Sequence, residues 1–214
     1  MDITRLGHAT LLVATDDTRI LIDPGSFSLP ETFELTALDA IVVSHQHPDH
    51  LDPDRAPALL RANPDALLLC DPETRSLQPD GRWVEHVDAL EHRVGDLQLR
   101  GVGAVHAEIL PSIPTVANVG VLVGDGAATL FHPGDSYTHA PPGVDVLALP
   151  LTAPWAKVSE TVDFAARVSP ATLFPIHDAV VSDRAYGIYW NHVVNHAGVA
   201  DARRIAPGET LTTA

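Results

Sequence analysis

Six consecutive residues, His45-Gln46-His47-Pro48-Asp49-His50, put three imidazoles and a carboxylate directly after the run Ala40-Ile41-Val42-Val43-Ser44. No other stretch restricts the fold as strongly. A continuous apolar run reads as a strand covered on both faces, so the hexapeptide falls where that strand gives way to a loop, the place from which sheets present chemistry. Crowded imidazoles repel one another if protonated and lose hydration if buried neutral, unless a cation organises them. In an extended segment His45 and His47 point to one side, and a turn at Pro48 swings Asp49 and His50 towards a different point. The spacing suggests two metal ions.

Further donors must come from elsewhere in the chain, and Cys70 is the only cysteine. No internal disulfide and no cysteine-rich zinc module is possible, which leaves histidine and carboxylate. Among the twelve histidines and the acidic residues, three candidates end strand-like runs: His106 after Val102-Gly103-Ala104-Val105, Asp135 in His132-Pro133-Gly134-Asp135, and His177 after Leu173-Phe174-Pro175-Ile176.

Strand-like runs recur at residues 10–14, 19–23, 40–44, 66–70, 97–105, 119–123, 128–131, 144–149 and 171–176. Asp16-Asp17 and Gly124-Asp125-Gly126 have the spacing of hairpin connections. Helices are expected over residues 54–62, stopped by Asn63-Pro64, over 159–168, with Ser159 as N-cap, and over 183–197, with Gly198 as the left-handed residue past the end. That order fits a layered α/β or α+β sandwich, and 214 residues without a Pro- or Ser-rich linker fit one domain, 1–214.

Charge narrows the partners. Thirteen basic against 28 acidic residues give a formal charge of −15, and Lys157 is the sole lysine, so a long nucleic acid finds few groups to displace its counterions. No run approaches the ~18 apolar residues of a spanning helix, and the first residues lack a basic and apolar leader pattern. The expectation is a cytoplasmic protein with a small-molecule substrate and no membrane partner.

In chain order, Asp23 in Leu21-Ile22-Asp23-Pro24, the hexapeptide, His106, Gly134-Asp135 and Pro175-Ile176-His177 together resemble the metallo-β-lactamase superfamily. The resemblance implies a four-layer αβ/βα sandwich, in which His45, His47 and His106 bind one metal ion, Asp49, His50 and His177 bind a second, and Asp135 bridges the two. It also implies that Asp23 orients a ligand histidine. The commonest zinc β-lactamases carry cysteine where Asp135 stands, so penicillin hydrolysis is not implied. Asp135 is instead similar to the phosphodiesterase, thioesterase and lactonase branches. The opening Leu6-Gly7-His8-Ala9-Thr10, followed by Ile20-Leu21-Ile22-Asp23-Pro24, is similar to small metal-dependent hydrolases related to L-ascorbate-6-phosphate lactonase.

The resemblance therefore implies a dinuclear hydrolase in which two divalent ions, ~3.5–4 Å apart, activate a water that attacks a small ester, lactone, thioester or phosphoester. Zinc suits such donors first and manganese is the alternative. Asp49 would steer the water, His8 would contact substrate or orient a ligand, and His139 would donate a proton to the leaving group. The alternatives are a nuclease or cyclic-nucleotide phosphodiesterase of the same fold, and a metal-binding regulatory protein without turnover. Of the other histidines, His132 reads as packed at a strand end and His86 and His92 as surface residues, while His192 and His196, at i, i+4 on one helix face, could bind metal but without a third partner read as exposed or as supporting a ligand. Trp155, Tyr186, Tyr189 and Trp190 read more simply as core packing than as pocket walls, and Cys70 as a small buried hydrophobe.

Overall fold

Apolar residues alternate between two covered faces along each central strand, and this decides the architecture. In the computed structural model, which describes residues 1–213, the chain forms two seven-stranded mixed sheets. The first runs in chain order through β1 (Asp2–Arg5), β2 (Leu11–Ala14), β3 (Arg19–Ile22), β4 (Ala40–Val43), β5 (Leu67–Cys70) and β6 (Trp83–Glu85). The second runs through β7 (Glu91–Val94), β8 (Leu97–Val102), β9 (Gly120–Gly124), β10 (Thr129–His132), β11 (Val146–Pro150), β12 (Thr172–Ile176) and β13 (Asp201–Ala202). Finally β14 (Thr210–Thr212) returns to the first sheet and pairs antiparallel with β1, setting Leu211 opposite Ile3.

Both sheets follow one plan. Antiparallel hairpins come first, and β3 to β6 and β10 to β13 are then parallel. Parallel neighbours need crossovers, and these carry α1 (Ala56–Ala62), α2 (Pro72–Leu77), α3 (Val158–Val168) and α4 (Asp183–His196). Ile20, Ile22, Val42 and Leu69 meet Leu99, Val121, Val123, Leu130 and Phe174 between the sheets. Their alternates Leu21, Ile41, Val43 and Leu68 pack under Leu59 and Leu60 of α1, while Phe131, Leu147 and Leu149 pack under Phe164 and Ala165 of α3. Helix, sheet, sheet and helix are thus the four layers. Among the described residues no helix is long and apolar enough to cross a membrane.

Local details depart from expectation at several points. Helix α1 starts at Ala56 rather than Asp54, and the Asp52 carboxylate caps the turn before it, accepting from the N–H groups of Asp54 and Arg55. The N-cap of α3 is Lys157, not Ser159, which lies inside the first turn. The unpredicted α2 has Asp71 as N-cap, accepting from the N–H groups of Glu73 and Thr74, with Pro72 where a missing N–H does no harm.

His86 and His92 are not surface residues. His86 is fully buried, its ring 5.2 Å from that of the half-buried His92, and neither ring nitrogen of His86 has a partner. Burial, with the neighbouring His92 adding to it, lowers the His86 pKa from 6.5 to about 4. Between those values the unfolded chain binds the proton and the folded chain does not, so stability falls as pH drops below 6.5. On going from pH 7 to pH 5 the wild type should lose roughly 2 kcal/mol more than the His86→Leu variant. Urea titrations at the two pH values test this, and equal losses would refute it.

Candidate metal centre

Asp23, His45, Asp135 and His177 all follow the C-terminal ends of strands, at the rim where the two sheets meet. The backbone is forced there. Of the six non-glycine residues with positive φ among the described residues, three are His8 (42°), Asp23 (48°) and His177 (56°), each a conformation that costs about 1–3 kcal/mol and persists only where surrounding structure imposes it. Gly134 (φ +61°) precedes Asp135 for a steric reason as well: a Cβ there would stand 2.2 Å from Asn118 Oδ1 and 2.7 Å from Ser44 Cβ. The same Asn118 Oδ1 accepts from the Asp135 N–H at 2.9 Å.

The structure brings together all seven residues expected to hold metal. His45, His47 and His106 form one group of close donor atoms, with His45 Nε2 3.0 Å from His47 Nδ1. His8, Asp49, His50 and His177 form a second. Asp135 lies between them: His50 Nε2 is 3.1 Å from its Oδ1, and His177 Nε2 and His106 Nε2 are 3.1 and 3.4 Å from its Oδ2. His8 belongs to the second group, its Nε2 3.3 Å from Asp49 Oδ2. His139 is not brought to the cluster; it is exposed, bonded to Thr138 Oγ1 and lying against Gly103.

Three of the imidazoles are oriented from behind. His50 Nδ1 donates to Asp23 Oδ2 at 2.7 Å, His106 Nδ1 to the Ala107 carbonyl at 2.6 Å, and His177 Nδ1 to the Thr152 carbonyl at 2.7 Å. With the proton on Nδ1, the lone pair of Nε2 points into the cluster. The Nε2 atoms of His50, His106 and His177 and Oδ1 of Asp135 are buried and complete no hydrogen bond with the protein. Buried polar atoms are rarely left so, and a divalent cation satisfies this set of imidazole and carboxylate donors.

Charge makes the same demand. Burial alone would favour neutral groups, yet Asp135 and Asp23 hold the His50 pKa well above its ordinary value, and Asp135 with Asp49 holds that of His177 up at about 9. In return His50 and His177 keep the Asp135 carboxyl well below the usual range against its burial. His45 goes the other way, lowered by burial and by His50 beside it. Protons on His50 and His177 thus do for the carboxylates what a cation would do.

Sequence reasoning missed several contributors. The Ser44 hydroxyl donates to Asp23 Oδ2 at 2.7 Å and lies 3.0 Å from His45 Nδ1. Trp155, read as core packing, instead donates its Nε1–H to Asp135 Oδ2 at 2.8 Å. Tyr186, Tyr189 and Trp190 do pack against the core under α3 and α4, and His132 is buried at its strand end, donating Nε2–H to the Ala9 carbonyl at 2.8 Å. His192 and His196 are exposed and Cys70 is buried.

Residues 2–177 match the family described as beta-lactamase superfamily domain. Protein Rv0786c of Mycobacterium tuberculosis is 45% identical over 196 residues, 90% of this chain and 91% of its own. Igni18, described as a novel metallo hydrolase from the hyperthermophilic archaeon Ignicoccus hospitalis, superposes with a TM-score of 0.74 at 22% identity, covering 98% of this chain and 97% of its own. YhfI from Bacillus subtilis, a metallo-beta-lactamase fold protein, superposes with a TM-score of 0.76 at 16% identity, covering 98% of both chains. These two likenesses concern the fold.

Removing the charge behind His50 tests the site. Asp23→Asn should weaken zinc binding about 10–100-fold while the far-ultraviolet circular dichroism stays that of the wild type. Competition against a chromogenic chelator measures the affinity, and an unchanged value would show that Asp23 does not support a metal ligand.

Proposed function

The chain belongs to the beta-lactamase superfamily, and from that premise we propose a metal-dependent hydrolase that acts in the cytoplasm on a small ester, lactone, thioester or phosphoester. The observation that carries this reading is the set of buried, unpartnered donor atoms on His50, His106, His177 and Asp135, with the three imidazoles each fixed from behind through Nδ1. His45, His47 and His106 hold one divalent cation and Asp49, His50 and His177 a second, with Asp135 shared; zinc suits these donors first and manganese is the alternative. When bound, the cations supply Lewis acidity and bring the pKa of a water towards neutrality.

Asp49 orients the proton of the attacking water. Burial pushes its carboxyl upward, but His177 and His8 beside it hold it well below the usual carboxylate range, so it stays an acceptor. His8 Nε2 lies 3.3 Å from Asp49 Oδ2, and its left-handed backbone places it there. His47 and Asp49 are only partly buried, so the centre opens to solvent on their side. Beside His47 and His106 lies a cavity of about 70 Å³ walled by Ile109, Ile113, Pro114 and Val116, which suits a small organic group. A long polyanion is opposed by the formal charge of −15. His139 has no part in this scheme.

Protein reconstituted separately with zinc and with manganese should hold about two equivalents per chain by elemental analysis. It should then turn over at least one member of a panel of lactones, thioesters and phosphodiesters. The His47→Ala variant should lose most bound metal, and its kcat/KM should fall by more than the roughly hundredfold that loss of a supporting residue produces. Undiminished turnover by that variant would exclude the site.

A further inference from the structure

The backbone of Asp135 is pinned at two points, its N–H by Asn118 Oδ1 at 2.9 Å and its carbonyl by the Ala107 N–H at 2.8 Å. Neither bond restrains rotation of the carboxylate. Among the described residues, the hydrogen bond that does comes from Trp155 Nε1–H, which reaches Oδ2 at 2.8 Å; Oδ2 also lies 3.1 and 3.4 Å from the Nε2 atoms of His177 and His106, and the buried Oδ1 lies 3.1 Å from His50 Nε2. An indole N–H only donates, so it occupies one lone pair of Oδ2, asks for an ionised carboxylate, and cannot itself take a metal ion.

The indole is itself held in place. Its ring meets Tyr137 edge-on at 4.8 Å between centroids, and Tyr137 stacks on Phe164 of α3 at 4.8 Å. The Tyr137 hydroxyl is tied to the Pro150 carbonyl at 2.5 Å and to Thr161 Oγ1 at 3.0 Å. Edge-on contacts of 6.0 and 6.1 Å set the indole against His106, of the first donor group, and His177, of the second. A chain of packed rings thus runs from α3 to the one carboxylate that lies between the two groups.

We propose that Trp155 is a positioning residue that fixes the rotation of the Asp135 carboxylate, so that its oxygens are preset towards both donor groups. The inference rests on the two-cation reading above. Without the indole N–H the carboxylate is free to turn, and both cations lose a preset donor. The first keeps His45, His47 and His106, and the second keeps Asp49, His50 and His177.

Trp155→Phe retains an aromatic ring against Tyr137 and removes the N–H together with part of the indole. Titration with Co²⁺, followed by visible absorption and by isothermal calorimetry, should show two equivalents on the wild type. On Trp155→Phe both equivalents should bind about 10–100-fold more weakly, the range expected for loss of a supporting hydrogen bond. Thermal unfolding of the metal-free variant should match the metal-free wild type, which separates positioning from a structural role, and Trp190→Phe should change neither equivalent. Unchanged affinity for both equivalents in Trp155→Phe would overturn the proposal, as would a loss of metal-free stability. A wild type that binds a single equivalent would overturn it too, and a wild type that binds none would overturn the hydrolase reading itself.

Discussion

Two buried carboxylates with one imidazole between them set the terms for this molecule. His50 donates to Asp23 through Nδ1 and faces Asp135 through Nε2, and all three side chains are almost wholly shielded from water. An uncompensated buried charge costs several kcal/mol, so positive charge must be present among them as a proton or as a metal ion. The strained backbone at His8, Asp23 and His177 and the tight approach at Gly134 are tolerable because they hold this arrangement in register.

The site is divided between the sheets. Asp23 and the hexapeptide extend from the first, while His106, Asp135, Trp155 and His177 extend from the second. Apolar contacts between the sheets supply most of the cohesion, and direct bonds join them at the rim, among them His177 N–H to the His8 carbonyl at 3.1 Å and His132 to the Ala9 carbonyl. A cation ligated from both sheets binds the folded chain and not the unfolded one, so its binding energy adds to the energy that keeps the layers together.

The central strands were legible in the sequence because their residues are apolar on both faces and no other element uses such runs. Their junctions with the loops carried His45, His106, Asp135 and His177 in plain view. The short edge strands Trp83–Glu85 and Glu91–Val94 were not legible, since three or four half-exposed residues show no clear alternation. Helix α2 did have a signal, an aspartate before a proline, but its six residues are too few for periodicity to show. Burial of His86 depends on which loops fold over it, and Trp155 reads like any core aromatic until the crossover brings its N–H to Asp135. Local pattern marks the ends of strands; the partners behind a ligand come from tertiary packing.

Those partners are not equivalent, and the difference explains why Asp23 sits at so constrained a position. His106 and His177 lean on backbone carbonyls, which orient an imidazole without adding charge. His50 leans on a carboxylate, which makes the ring a stronger electron donor. The other carboxylate oxygen accepts from the Ser44 N–H at 2.7 Å, and the Ser44 hydroxyl, donating to Asp23, presents its own oxygen to His45. One buried aspartate therefore orients His50 directly and His45 through a serine, and these two belong to different donor groups. An alteration at Asp23 reaches both groups at once, whereas one at Thr152 or Ala107 reaches a single imidazole. Asp23 touches no metal position itself, and its influence comes from linking two histidines that the hexapeptide turn sends in different directions.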